Sequence, residues 1–206
     1  MKIAIVDYGM GNIHSLKGAL AYISPSADIA LVNDGKSLGE ADLIFLPGVG
    51  HFKAAMEALD SLGLSDMLKI SVLDNKKPIM GICLGMQLLF SNSSEGGVNP
   101  GLGLVDGKVR RIDDGVEKIP HMGFDRVSPS SESKMFTGID KLDFYFVHSY
   151  CVKETGNESL LTYCDYNEIF IAAIEKEHIW GTQFHPEKSQ GSGLQLLRNF
   201  IFTYGN

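Results

Sequence analysis

The hydrophobic pattern of the chain changes rhythm near its middle. In the first half, short unbroken apolar runs alternate with stretches of helical spacing. Residues 3–6 (Ile-Ala-Ile-Val) are apolar at every position, the pattern of a strand buried on both faces. Further strands are predicted over 29–32, 43–46 and 78–82, with the run 43–46 ended by Pro47-Gly48. Residues 13–22, 52–73 and 84–90 carry helical periodicity, the second of these broken near Gly63. This β-α-β-α order implies an α/β fold with a mostly parallel central sheet and helices on both faces. After residue 90 the runs become shorter and turn residues more frequent. Strands are predicted over 105–112, 125–127, 144–152, 160–163, 169–175 and 178–184, as a mixed or antiparallel set added to the parallel core. An amphipathic helix over 194–204 closes the chain. No linker-like stretch divides the halves, so 1–206 reads as a single domain.

Composition narrows the function. Net charge is −7, the acidic residues are dispersed, and no Lys/Arg stripe exists, which argues against nucleic acid as a partner. The three cysteines, Cys83, Cys151 and Cys164, form no C-x-x-C pair, so neither a disulfide framework nor a zinc site is expected. A reducing cytoplasm fits that usage. The apolar run after Met1 is too short for a signal peptide, and no segment reaches the ~20 apolar residues of a membrane span. No cofactor or metal is expected.

The chemistry concentrates where parallel strands should end. Gly81-Ile82-Cys83-Leu84-Gly85 is a G-x-C-x-G segment between a strand and a helix, the pattern of a nucleophile elbow. So tight a turn leaves no room for side chains at the flanking glycines. The helix N-terminus beside Cys83 favours its thiolate form, and the Leu84 N–H is placed to donate to an oxyanion. A lone cysteine is more often a buried structural residue, and Cys151 and Cys164 keep that reading. Gln183-Phe184-His185-Pro186-Glu187 follows the last strand. His185 and Glu187 are two apart, so an extended backbone would point both the same way, and a carboxylate could then orient the imidazole. With Cys83 upstream, a nucleophile-base-orienter triad becomes the better reading than a solvated turn. The other histidines show no comparable pairing. In Leu46-Pro47-Gly48-Val49-Gly50, Gly48 and Gly50 let backbone approach a ligand closely and let a peptide plane turn.

Pro47-Gly48-Val49-Gly50, Gly81-Ile82-Cys83-Leu84-Gly85-Met86-Gln87 and His185-Pro186-Glu187 stand in the order and spacing of class I (triad) glutamine amidotransferases. The resemblance covers essentially the whole chain. Asp7-Tyr8-Gly9-Met10-Gly11-Asn12, Tyr145-Phe146-Val147-His148-Ser149-Tyr150 and His185-Pro186-Glu187-Lys188-Ser189 resemble the narrower family of glutaminase subunits of imidazole glycerol phosphate synthases. The resemblance implies that Cys83 attacks the glutamine amide, that His185 moves the proton and that Glu187 orients His185. It implies an oxyanion hole from the N–H groups of Val49 and Leu84, the former after a peptide flip. Gln87, Glu95, Ser149 and Tyr150, with Gly48 and Gly50, would line the glutamine pocket. Asn12, Tyr145, Lys188 and Phe124 would face a partner, a (β/α)₈ cyclase subunit forming a heterodimer and using the ammonia in histidine biosynthesis. The family usually carries Met-Gly-Trp-Asn where this chain has Met122-Gly123-Phe124-Asp125. That departure leaves room for a paralogue feeding acetamidino-sugar synthesis. The elbow would also suit a stand-alone γ-glutamyl hydrolase, and the fold would suit a non-catalytic regulatory scaffold. The intact Cys83, His185 and Glu187 speak against the scaffold, and the Asp7-Tyr8-Gly9 start against the hydrolase.

Overall fold

The computed structural model describes residues 1–115, 117–156 and 159–205. The first half holds β1 (Lys2–Val6), α1 (Ile13–Ile23), β2 (Asp28–Val32), α2 (Gly35–Gly39), β3 (Leu43–Gly48), α3 (Phe52–Ser61), α4 (Leu64–Lys69), β4 (Ile79–Cys83) and α5 (Leu84–Leu88). The second holds β5 (Phe90–Ser93), β6 (Asn99–Pro100), β7 (Val105–Arg111), β8 (His121–Ser128), β9 (Asp143–His148), β10 (Tyr150–Thr155), β11 (Leu160–Tyr166), β12 (Glu168–Lys176), β13 (Ile179–Thr182) and α6 (Gln190–Tyr204). Nine strands form the main sheet in the order β2-β1-β3-β4-β13-β12-β11-β8-β9. The pairs from β2 to β13 are parallel, and those from β13 to β9 are antiparallel. The expected α/β class with added antiparallel strands is therefore present.

Alternation along the strands divides the core into two layers. Ala4, Val6, Ile44 and Leu46 point to one face, where Phe52, Ala55 and Leu59 of α3 and Leu64 and Leu68 of α4 cover them. Ile3, Ile5, Leu43 and Phe45 point to the other, covered by Leu16 and Leu20 of α1 and Leu196, Leu197 and Phe200 of α6. Burial on both faces is what a continuous apolar run requires.

Several boundaries differ from expectation. β3 runs through Pro47 to Gly48, which pairs with Cys83. The ladder to β1 stops at Phe45, so past that point the strand has a ladder on one side only, a setting that tolerates proline. The long helical run divides at Gly63 as expected, where a φ of +65° makes a left-handed break, but it ends in a π-turn at Ile70–Asp74. Phe90 leaves the helix after α5 and joins β5. The stretch 144–152 is two strands, β9 and β10, which belong to different sheets. A second, four-stranded sheet in the order β10-β7-β5-β6 is not signalled by the hydrophobic pattern. β8 begins four residues before the expected 125, and α6 begins at Gln190.

What this architecture does for the site is simple. β3, β4 and β13 are neighbours in parallel register, with Gly48 opposite Cys83 and Thr182 opposite Ile82. Their carboxyl ends therefore deliver the glycine loop, the cysteine and the segment leading to His185 to one edge of the sheet. Ligands of open parallel sheets bind at such edges.

Candidate active site

Cys83 is the pivot between β4 and α5. Its φ of +55° and ψ of −113° are strained for a residue with a side chain. The flanking glycines explain how the turn is held. A Cβ on Gly85 would lie 1.7 Å from the Leu46 carbonyl oxygen, and one on Gly81 would lie 2.7 Å from the Gly85 carbonyl oxygen. Backbone thus packs on backbone around the thiol. Across the gap, the Tyr8 hydroxyl donates to the Pro47 carbonyl at 2.8 Å and is buried. Tyr8 therefore anchors the start of the glycine loop, a role that no sequence signal assigned to it. Burial, and then the charge on Cys83, push the Tyr8 hydroxyl's pKa well above its ordinary value.

His185 follows β13. Its backbone N–H bonds the Tyr145 carbonyl at 2.8 Å, and its carbonyl accepts from the Ser189 hydroxyl at 2.7 Å. His185 Nδ1 meets Glu187 Oε1 at 2.8 Å, with both side chains almost fully buried. The link between them is not the extended backbone expected. Pro186–Lys188 forms a 3₁₀ turn in which Ser189 N–H bonds the Pro186 carbonyl. Close packing of Gly193 on Pro186 enforces that turn, since a Cβ on Gly193 would lie 1.8 Å from the Pro186 oxygen. His185 Nε2 and Glu187 Oε2 are buried with no hydrogen-bond partner. Burial disfavours a charged imidazole here, but Cys83 and Glu187 together outweigh it and hold His185 at about 9. Around neutral pH the ring keeps its proton between two acidic groups. A ring that holds a proton next to a cysteine can serve as a proton donor in nucleophilic catalysis.

A cavity of about 290 Å³ opens beside the thiol, lined by Val49, Gly50, Cys83, Leu84, Gln87 and Glu95 on one side and Pro120, Val147, His148, Ser149 and Tyr150 on the other. Gln87 is buried and donates to both the Tyr150 carbonyl and Gln183 Oε1, each at 2.9 Å. Gln183, to which no sequence signal gave a role, in turn directs its amide at the Cys83 sulfur, 3.8 Å away. Glu95 accepts from the Phe52 N–H at 2.7 Å. Gly48 adjoins this group from β3, with Tyr8 packed on it.

The four residues expected on a partner surface divide. Phe124 is 52% exposed and packs edge-on to Tyr145, over whose ring Lys188 places its ammonium at 5.6 Å. Asn12 instead turns inward and donates to Glu187 Oε1 at 3.2 Å. Among the described residues, no group of three or more His, Cys, Asp or Glu side chains is arranged to hold a metal ion, and no helix is long and apolar enough to cross a membrane.

The remaining histidines show no pairing in sequence comparable to His185 and Glu187, yet two of them meet in the fold. His121 and His148 are buried opposite each other in the β8/β9 ladder, with Nδ1 and Nε2 3.1 Å apart. Burial pushes His121 down to about 4 and His148 down to about 3. Both stay neutral in the folded chain while the unfolded chain titrates near 6.5. The unfolded state then binds more protons, so this part of the stability is complete above about pH 6.5. It is lost as pH falls from there towards 4 and 3. The unfolding free energy from denaturant titration is expected to drop between pH 7 and 4 by on the order of a few kcal/mol, and the midpoint with it. A midpoint flat over that range would refute the depressed values.

Comparison with known proteins identifies the family. The family model for glutamine amidotransferase class-I matches residues 4–204. The imidazole glycerol phosphate synthase subunit HisH 1 of Campylobacter jejuni (strain RM1221) is 47% identical, over 97% of this chain and 98% of that protein. The HisH subunit of Aquifex aeolicus is 43% identical over 97% of this chain and 96% of its own length. Among solved structures, one described as a glutamine amidotransferase superposes with a TM-score of 0.78 at 16% identity, covering 99% of each chain. PurLQS from Thermotoga maritima gives 0.73 at 17% identity, covering 98% of each. Those last two likenesses concern the fold. The family match and the close relatives, spanning nearly every residue, place this chain in the class-I glutamine amidotransferase family.

Proposed function

We propose that the chain is a glutaminase subunit that hydrolyses glutamine and passes the ammonia to a (β/α)₈ cyclase subunit in a cytoplasmic heterodimer. The cyclase would make imidazole glycerol phosphate and an aminoimidazole carboxamide ribonucleotide in histidine biosynthesis. The observation that carries the reading is the strained Cys83 at the mouth of a cavity, with the His185–Glu187 pair beside it. The HisH names of relatives 47% and 43% identical over nearly the full length support the acceptor pathway.

In this reading the Cys83 thiolate attacks the side-chain amide carbon. The C–N bond breaks as His185 gives its proton to the leaving nitrogen, and neutral ammonia departs. Water then attacks the thioester while the now neutral His185 takes a proton from it. The C–S bond breaks, thiolate is restored, and glutamic acid loses its proton to solvent as glutamate. Glu187 keeps His185 Nδ1–H engaged, so that Nε2 faces the reacting atoms. The oxyanion sits on the Leu84 and Val49 N–H groups. Tyr8 anchors Pro47 on one side of the loop, while Gly50, at φ +107°, leaves the Gly48–Val49 peptide free to turn on the other. Gln87, Glu95, Ser149 and Tyr150 form the pocket wall. Phe124, Tyr145 and Lys188 form the partner face, and Asn12 joins that face to Glu187.

A loop that must turn predicts a poor glutaminase in isolation. Mixed with its host's cyclase and the phosphoribulosyl substrate, the chain is expected to release glutamate at least about 100-fold faster, a population shift of ~3 kcal/mol. Equal rates with and without the partner would sink the loop argument. Stimulation only by a different partner would move the acceptor to another pathway.

A further inference from the structure

The mechanism leaves the buried pair His121 and His148 without a task. His148 lines the cavity and its Nδ1 lies 2.8 Å from the Tyr150 carbonyl oxygen. That oxygen also accepts from Gln87. A carbonyl can only accept, so His148 must carry its proton on Nδ1. Its Nε2 is then bare, and the contact with His121 Nδ1 at 3.1 Å requires His121 to donate. The ring of His121 cannot turn away, because it is stacked between Phe146 and Tyr166 at centroid distances of 4.6 and 3.9 Å. Each proton position in this chain follows from the one before it. Behind His121 stands Asp125, with Oδ2 3.5 Å from Nε2. Both atoms are acceptors when His121 is neutral, so that last contact is slack and the chain is anchored by ring stacking.

We propose that His148 and His121 are positioning residues of the glutamine pocket: His148 fixes the Tyr150 carbonyl that Gln87 shares, and His121 holds His148 in its donating tautomer. The inference rests on the glutaminase reading and extends it. The Tyr150 carbonyl joins two sets of contacts. One runs through Gln87 and Gln183 to the Cys83 sulfur. The other runs through the two histidines to β8, whose neighbouring Met122 and Phe124 are exposed. Without the His148 donor, the carbonyl has one anchor instead of two, and the pocket wall loosens while the thiol keeps its surroundings.

The test uses the full chain, with its host's cyclase and the phosphoribulosyl substrate present, and a diazoketone analogue of glutamine that alkylates Cys83 after saturable binding. Iodoacetamide serves as a reagent that needs no pocket. His148→Phe is expected to raise the half-saturating analogue concentration about tenfold, the worth of one hydrogen bond. Its iodoacetamide rate should stay within about twofold of wild type. His148→Asn, whose amide can donate from near the position of Nδ1, should recover most of the affinity. Unchanged half-saturation in a folded His148→Phe overturns the proposal. Should that variant not fold, ring ¹⁵N NMR of the wild type decides. Nδ1–H tautomers at both histidines support the chain, and an Nε2–H tautomer at His148 overturns it. A wild type whose Cys83 reacts with iodoacetamide but never with the analogue would overturn the glutaminase reading, and this inference with it.

Discussion

Cys83→Ala is expected to lower glutamate release by at least about 10⁴-fold, the scale on which nucleophile deletions act in triad hydrolases. The fold should survive the change. Alanine keeps the Cβ, so the backbone strain at φ +55° is the same, and the side chain removed is one sulfur at a cavity edge. The thermal midpoint is expected to stay within a few degrees. No other thiol can stand in. Burial pushes Cys151 and Cys164 up to about 12, which leaves them un-ionised and slow as nucleophiles. Glutamate release is read with the cyclase present, so that a weak basal rate does not hide the loss. Residual activity within tenfold of wild type would place the nucleophile elsewhere and discard the Cys83 mechanism.

Gly85→Ala should damage the protein more broadly, by unseating β3 from the elbow. The added methyl would lie 1.7 Å from the Leu46 carbonyl oxygen, far inside van der Waals contact. Neither side can yield cheaply, because both are backbone. β3 and β4 are locked in register from Ile44 opposite Ile79 to Gly48 opposite Cys83. A loss of about 4 kcal/mol or more is expected, the range of severe core overpacking. For a chain of 206 residues that corresponds to roughly 10 °C in thermal midpoint. Gly18→Ala is the matching control. Gly18 lies inside α1, is exposed, and has nothing within 4 Å of an added Cβ, so the change should stabilise the helix by about 0.5–1 kcal/mol. A Gly85→Ala protein as stable as wild type would mean that the elbow is looser than its backbone contacts imply.

Much of this was legible in residues alone, and the reason is locality. The β-α-β-α rhythm follows from apolar periodicity over windows of a few residues, and it implies a parallel sheet. A parallel sheet puts its ligands at strand ends, which is where Pro47-Gly48 and Cys83 fall. The elbow glycines and the His185-Pro186-Glu187 tripeptide are likewise local, so the candidate nucleophile and its proposed partners are legible in the sequence. What tertiary structure decided is everything carried by residues distant in sequence. The segments carrying Cys83 and His185 reach one edge of the sheet because β4 and β13 are parallel neighbours. The Tyr8 hydroxyl reaches Pro47 across 39 residues, and the Gln183 amide reaches Cys83 across 100. His121 and His148 look like unrelated strand histidines, and only the β8/β9 register sets them face to face. Asp125 Oδ2 comes within 3.5 Å of His121 Nε2, although a flat strand would hold residues four apart at about 13 Å. Period and composition determine which elements form and what chemistry they carry. Register, bends and the order of strands decide which of those side chains meet, because such contacts depend on packing free energies summed over the whole sheet.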